Sequence, residues 1–270
     1  MFVYSYWNKI CKELSENHNC ILANQIIEQS QDVSWVVVKH DIETNVSKAL
    51  KLAKIEAEYN IRATYYVQSY LLRENLSKLQ EIASLGHEVT YHYDVLDSNN
   101  GNYTDAINEF SDTINRFKES GFTIQTVCPH GNPILNRDGW SSNKDFFRNQ
   151  EISEKFSEIL DIVVHLPLRL KRAYVYVSDA SYSWKIISNI EYNDVKNNGD
   201  KEISDIFKIL LQNKECLIIS THPHRWGSSK ILIMIKIIFF RVVRFLARLV
   251  SNISFFKTIM SRYYYLAKKI

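Results

Sequence analysis

The chain has 270 residues, 46% of them hydrophobic, with seven Gly and four Pro, which excludes disordered, collagen-like and linker-rich classes. Its 33 basic and 30 acidic residues give a net charge of +3, yet nine of the bases and none of the acids lie in 230–270. Residues 1–229 therefore carry 24 bases against 30 acids, a net −6 that excludes a uniformly basic protein and makes the body a poor candidate for gripping nucleic acid along its surface.

A domain of this size buries roughly three-quarters of its unfolded surface, so it needs no disulfide frame. Cys11, Cys20, Cys128 and Cys216 are scattered and read as buried, reduced thiols. Met1–Glu13 shows no basic region followed by an apolar run and a small-residue cleavage site, so an intracellular body is expected.

In chain order, the β-branched run Val33–Lys39 ends in His40-Asp41, and Asn45–Tyr59 follows with apolar residues at helical spacing. Arg62–Gln68 reads as a strand, Glu74–Leu85 as a helix, Gly86–His92 as a strand, Thr104–Ser120 as a helix and Thr123–Val127 as a strand. Strand-like Asp161–His165 and Ala173–Val177 come next, then a helix over Glu202–Gln212 and a strand over Cys216–Ser220. Strands alternating with helices predict parallel βαβ units, and about seven of them suit a deformed (β/α)7-type barrel over 1–229.

Barrels of this kind work from the C-terminal ends of their strands. His40-Asp41, His92-Tyr93-Asp94, Cys128-Pro129-His130, Ser178-Asp179 and Thr221-His222-Pro223-His224 each stand at such an end. Taken singly, a histidine after a strand is more often structural than functional. Five clusters gathered at one mouth instead suit metal-assisted hydrolysis. That chemistry needs N/O ligands, a carboxylate to take a proton from water and an imidazole to return one. His18, His87 and His165 read as structural. No phosphate-binding glycine loop and no G-x-S-x-G element is present.

The order of these motifs resembles the polysaccharide deacetylase (NodB-homology, carbohydrate esterase 4-like) superfamily, in the branch whose first motif reads H-D-V-D. That motif is His40-Asp41-Ile42-Glu43 here; the second is Gly86 to His92, similar to G-H-E-I-x-x-H; the third is Cys128 to Pro133. Tyr176–Asp179 leading to Trp184, and Ser220–Trp226, complete the set, over about residues 1–228. The resemblance implies removal of an acetyl group from an N-acetylated, less often O-acetylated, sugar. It implies Asp41 as base, His222 as general acid and His92 as ligand of a divalent metal, with zinc expected. Glu43 stands where this branch carries its metal aspartate. The usual second histidine, four residues after the first, is Leu96 here, which leaves Asp94 or His130 as the third ligand. The third-motif arginine is also missing. His130 and Asn132, with Asp179 and Trp184, are candidate substrate contacts, since aromatics stack on sugar faces. Two alternatives remain: a non-catalytic sugar-binding relative, motivated by Leu96, and an amidohydrolase of non-sugar cyclic amides.

Residues 231–250 form the most apolar stretch, yet their longest uncharged run is Ile231–Ile235, far short of the ~18 residues that span a bilayer. Helical spacing gathers Lys236, Arg241, Arg244 and Arg248 into one arc, and Ile253–Ile270 repeats the design. Either the segment closes the barrel or it lies on an anionic membrane surface; the lack of acids favours the second. A lipid-linked or cytoplasmic glycan precursor, worked on at the inner face of the membrane during surface-polysaccharide assembly, is the expected setting.

Overall fold

Short runs of Val, Ile, Tyr and Thr give parallel strands, because the helical segments between them carry the chain back across the sheet. The computed structural model describes residues 2–250 apart from positions 31, 133, 134, 136, 171, 189, 193–199, 213 and 214. The strands are β1 (Cys20–Ile21), β2 (Val36–Ile42), β3 (Thr64–Val67), β4 (Glu88–Tyr93), β5 (Thr126–Pro129), β6 (Leu160–Asp161), β7 (Tyr174–Ser178), β8 (Trp184–Ile186), β9 (Lys201–Ile203) and β10 (Cys216–Thr221). They pair in the order β6-β5-β4-β3-β2-β10-β7-β8-β9, with β1 beside β2. The path from β6 to β7 is wholly parallel, and β8 and β9 add an antiparallel corner. This is a deformed (β/α)7-type barrel: among the described residues no ladder joins β6 to the far edge.

Alternation along each strand sorts side chains into two layers. One face of the sheet meets the helices, among them Tyr4–Asn17, Val46–Glu58, Leu76–Ser84 and Tyr103–Glu119. Trp7, Leu52, Tyr65, Tyr91, Phe110 and Trp226 fill that outer core. The other face encloses a smaller cluster of Val37, Tyr66, Cys128, Tyr176 and Ile218. Side-chain caps start three of the described helices: Asn45 accepts from Lys48 N at 3.1 Å, Asn102 from Thr104 N at 3.0 Å and Asn149 from Ile152 N at 3.3 Å.

Three expectations change. Asp161–His165 is extended only at Leu160–Asp161, because the Asp161 carboxylate accepts from Val163 N and Val164 N at 2.7 and 2.8 Å and turns the chain. The helix expected from Glu202 begins at Ile206, since Lys201–Ile203 pairs with β8. β8 itself was not foreseen. All four cysteines are free.

The helix Lys230–Val250 follows β10. Ile233 is buried against the body, Ile237 packs on the outer core, and Phe240 meets Tyr182 edge-on with centroids 5.5 Å apart. No described helix is long and apolar enough to cross a membrane. The expected second amphipathic stretch, Ile253–Ile270, lies outside the described residues.

Candidate active site

The site begins on β2, where period-two alternation puts Lys39 and Asp41 on the inner face and His40 on the helix side. Lys39 is 1% exposed, and its Nζ lies 2.8 and 3.0 Å from the two Asp41 oxygens. The same ammonium donates to Cys128 Sγ at 3.0 Å and lies 5.2 Å from the centre of the Tyr66 ring. Burial acts to raise the Asp41 carboxyl; the neighbouring Lys39 charge, helped by His92 and His222, reverses this and brings it down to about 2. Asp41 is thus a carboxylate at neutral pH.

His40, adjacent to it, serves the opposite layer. Its Nε2 lies 2.7 Å from Glu56 Oε1 and its Nδ1 2.6 Å from Thr221 Oγ1. Glu56 also accepts from Trp7 Nε1 and Tyr65 OH, which satisfies a carboxylate buried among aromatic rings. His40 ties the helix layer to the sheet and does not reach the inner face.

Two further strand ends bring imidazoles to Asp41. His92, the fifth residue of β4, places Nδ1 3.0 Å from the Cys128 carbonyl oxygen. A carbonyl only accepts, so Nδ1 carries the proton and Nε2 keeps its lone pair. Burial pulls the His92 pKa down to about 3 against the attraction of Asp41, so the ring is neutral and fit for a cation. His130 follows β5, and its Nε2 lies 3.2 Å from Glu43 Oε1, one residue past β2. Glu43, His92 and His130 are buried and each offers one ligand atom, all within 4.8 Å of one another. Asp41, His92 and Cys128 form a second such group. Two imidazole nitrogens and a carboxylate are a donor set that a divalent ion such as zinc accepts, so the residues fit the metal expected here.

Opposite them stands His222, just past β10. Its Nδ1 donates to Asp179 Oδ1 at 2.6 Å, and its backbone N–H to Asp179 Oδ2 at 3.0 Å. Arg225 clamps the same aspartate, donating at 2.7 Å to Oδ1 and at 2.7 Å to its carbonyl. Burial would raise Asp179, but Arg225 first and His222 second hold it below the ordinary value. With Nδ1 engaged, Nε2 of His222 points to Asp41 Oδ2, 3.9 Å away.

The remaining expected site residues sit elsewhere. Asp94 precedes the short helix Val95–Ser98, 3.5 Å from Gln68 Nε2, and is in neither ligand group; His130 takes that place beside Glu43 and His92. Leu96 is buried in the helix-side core, so that position faces away from the site. Asp179 is fully buried under His222 and does not offer a surface to a sugar. Trp184 is 4% exposed and packs against Phe2 and Trp226, because the turn into β8 directs its ring into the outer core. Asn132 is half-buried on the loop two residues beyond His130. His87 lies at the start of β4, where it accepts from Ala63 N and meets the Ala53 carbonyl, both at 3.0 Å.

Sequence reasoning missed four contributors. Lys39 was read as the end of an apolar strand; its spacing of two from Asp41 was the available signal. Arg225 lay inside the last motif without a role. Asn143 donates to the His130 carbonyl at 2.9 Å, and Asp97 joins Asn143 to Arg137 at 2.7–2.9 Å. That clamp steadies the His130 loop. It is completed by Trp140 lying on Gly101, where φ is +80° and a Cβ would fall 2.4 Å from the ring.

No family model and no curated protein matches the chain. Among solved structures it is similar to a family 4 carbohydrate esterase from Streptomyces lividans in complex with acetate: 14% identity, 70% of this chain and 79% of that one, TM-score 0.43. The peptidoglycan deacetylase PdaC from Bacillus subtilis is 12% identical over 84% of this chain and all of the other, with TM-score 0.42. The pseudoenzyme BA3943 of the same esterase family, from Bacillus anthracis, is 12% identical over 78% of this chain and 61% of that one, with TM-score 0.40. What the site of this chain can do follows from its own residues.

Proposed function

We propose that this protein is a metal-dependent hydrolase that removes an acetyl group from an acetylated amino sugar, with Asp41 as base and His222 as general acid. The observation that carries the reading is the pairing of Asp41 Oδ2 with His222 Nε2 across 3.9 Å, beside the Glu43, His92 and His130 group. A carboxylate that stays ionised faces an imidazole whose other nitrogen is already committed to Asp179. Such a couple can take a proton from one reactant and give one to another.

Glu43, His92 and His130 would hold the divalent ion, with zinc expected from the donor set. Such an ion polarises an acyl carbonyl and lowers the pKa of water beside it. Asp41 accepts the proton that the attacking water loses. His222 delivers one from Nε2 to the nitrogen as the carbon–nitrogen bond breaks, giving acetate and a free amine. Asp179 keeps Nδ1 protonated and the ring oriented, and Arg225 keeps Asp179 from swinging away. Asn132, two residues beyond His130, is the contact we expect the substrate to make on that loop.

The substrate we favour is a lipid-linked or cytoplasmic glycan precursor, reached from the inner face of the membrane. Ile231, Leu232, Ile235, Ile238, Phe239 and Phe245 are exposed on the helix Lys230–Val250, and Lys230 and Arg241 lie among them with no acid. An apolar face with only positive charge suits an anionic lipid surface.

The test is acetate release from N-acetylglucosamine oligomers by the zinc-loaded chain, with Asp41→Asn, shown by circular dichroism to be folded at the assay temperature, as control. Release abolished in the control supports the reading; no zinc bound and no acetate released refutes it. Co-sedimentation with anionic vesicles that persists after 230–270 is deleted refutes the membrane placement.

A further inference from the structure

Two groups of metal-ligating side chains converge on one imidazole. Glu43, His92 and His130 form the outer group, and Asp41, His92 and Cys128 the inner one. His92 Nδ1 is committed to the Cys128 carbonyl, so both groups depend on the same Nε2. A single ion can therefore occupy one group or the other. By donor chemistry the inner one is the stronger competitor, since a thiolate binds zinc and cobalt tightly. Were it filled, Asp41 would be a ligand and could not serve as base.

Lys39 stands in that inner position. Its Nζ lies 2.8 and 3.0 Å from the Asp41 oxygens and 3.0 Å from Cys128 Sγ, which accounts for all three of its N–H donors. The stem is sealed between strands, with the ammonium 5.2 Å from the Tyr66 ring centre and 5.9 Å from that of Tyr176. With 1% exposure the side chain is buried among these partners. A divalent ion between Asp41 and Cys128 would have to share space with this charge.

We propose that Lys39 is a built-in cation that keeps a divalent metal out of the Asp41–His92–Cys128 group and confines it to Glu43, His92 and His130. Lys39 is thus a specificity-determining residue that leaves Asp41 unligated. The outer destination of the metal rests on the hydrolase reading; the exclusion from the inner group does not.

Cobalt(II) absorption tests this directly, because a cobalt–thiolate bond adds a charge-transfer band in the near ultraviolet that imidazole and carboxylate ligands lack. Cobalt(II) is titrated into wild type, Cys128→Ser, Lys39→Met and the Lys39→Met/Cys128→Ser double variant, with folding checked by circular dichroism. We expect wild type and Cys128→Ser to give the same spectrum without the band. Lys39→Met gains it as the Cys128 thiol gives its proton to solvent, and the double variant loses it again. A thiolate band in wild type that Cys128→Ser removes overturns the inference, and this comparison decides alone if Lys39→Met does not fold. A folded Lys39→Met that shows no thiolate band also overturns it. No cobalt on wild type with a thiolate band on Lys39→Met supports the role of Lys39 and refutes the outer site, which separates the two readings.

Discussion

Asp41→Asn, the natural control for activity, is predicted to weaken the fold itself. The substitution leaves the Lys39 ammonium buried with one thiol and two aromatic rings for company. Removing one partner of a buried pair costs roughly 3–5 kcal/mol, because the remaining charge is neither hydrated nor neutralised. The depression of Asp41 from 3.8 to about 2, after burial has taken its share, points the same way, at roughly 2 kcal/mol. The aromatic rings and Cys128 place the cost at the lower end, about 3 kcal/mol, which lowers the melting temperature of a chain this long by roughly 6–10 °C. Urea unfolding of the metal-free protein measures it without reference to catalysis. Asp41→Asn/Lys39→Met should recover most of the loss, since an apolar replacement of the whole pair is close to neutral. If Asp41→Asn is as stable as wild type, or the double variant is no better than the single, the buried-pair reasoning is refuted.

Three other expectations follow from the geometry. Asp179→Asn should lower the rate of acetate release by roughly 10²–10⁴ with little change in KM, because Nδ1 of His222 loses its carboxylate partner and the tautomer is no longer fixed; a loss below about tenfold would count against His222 as the acid. His130→Ala should weaken zinc binding by well over tenfold in a competition titration while Asp94→Asn leaves it unchanged, and the reverse order would move the third ligand back to Asp94. Asp41 and Asp179 both lie below their ordinary 3.8, so the stability they confer is complete above about pH 4 and is withdrawn as pH falls toward 2; a urea midpoint for wild type that does not fall relative to Asp41→Asn/Lys39→Met across that window would contradict the sign.

The strand ends were legible because the chemistry-bearing residues follow apolar runs, and parallel strands bring all such ends to one side. That rule gathers the clusters that hold Asp41, His92, His130 and His222 at one mouth, and the resemblance in motif order singles out Asp41, His92 and His222 within them. Which of Asp94 and His130 approaches Glu43 could not, since it depends on how β5 leaves the sheet and on the Asn143–Asp97 clamp, contacts far apart in sequence. Lys39 was hidden by the general rule that lysines lie outside; only the pairing with Asp41 lets it be buried. Trp184 illustrates the converse. An aromatic at a strand mouth suggests a sugar wall, but the β8 hairpin, three residues long and paired to a three-residue β9, was too short to see and turns the ring inward. The helix start expected at Glu202 failed for the same reason.

The sheet order bears on how securely the acid and the base are spaced. Asp41, His222 and Asp179 sit at the ends of β2, β10 and β7, three consecutive rungs of one ladder. Adjacent strands stand about 4.8 Å apart wherever backbone hydrogen bonds join them. The gap between acid and base is therefore ruled by the pitch of the sheet rather than by any loop. A loop may lengthen, shorten or change its sequence to suit a different glycan without altering that spacing. Reshaping the reactive pair would require slipping a central parallel strand in register, which would turn Lys39 and Asp41 outward together and dismantle the core with the site.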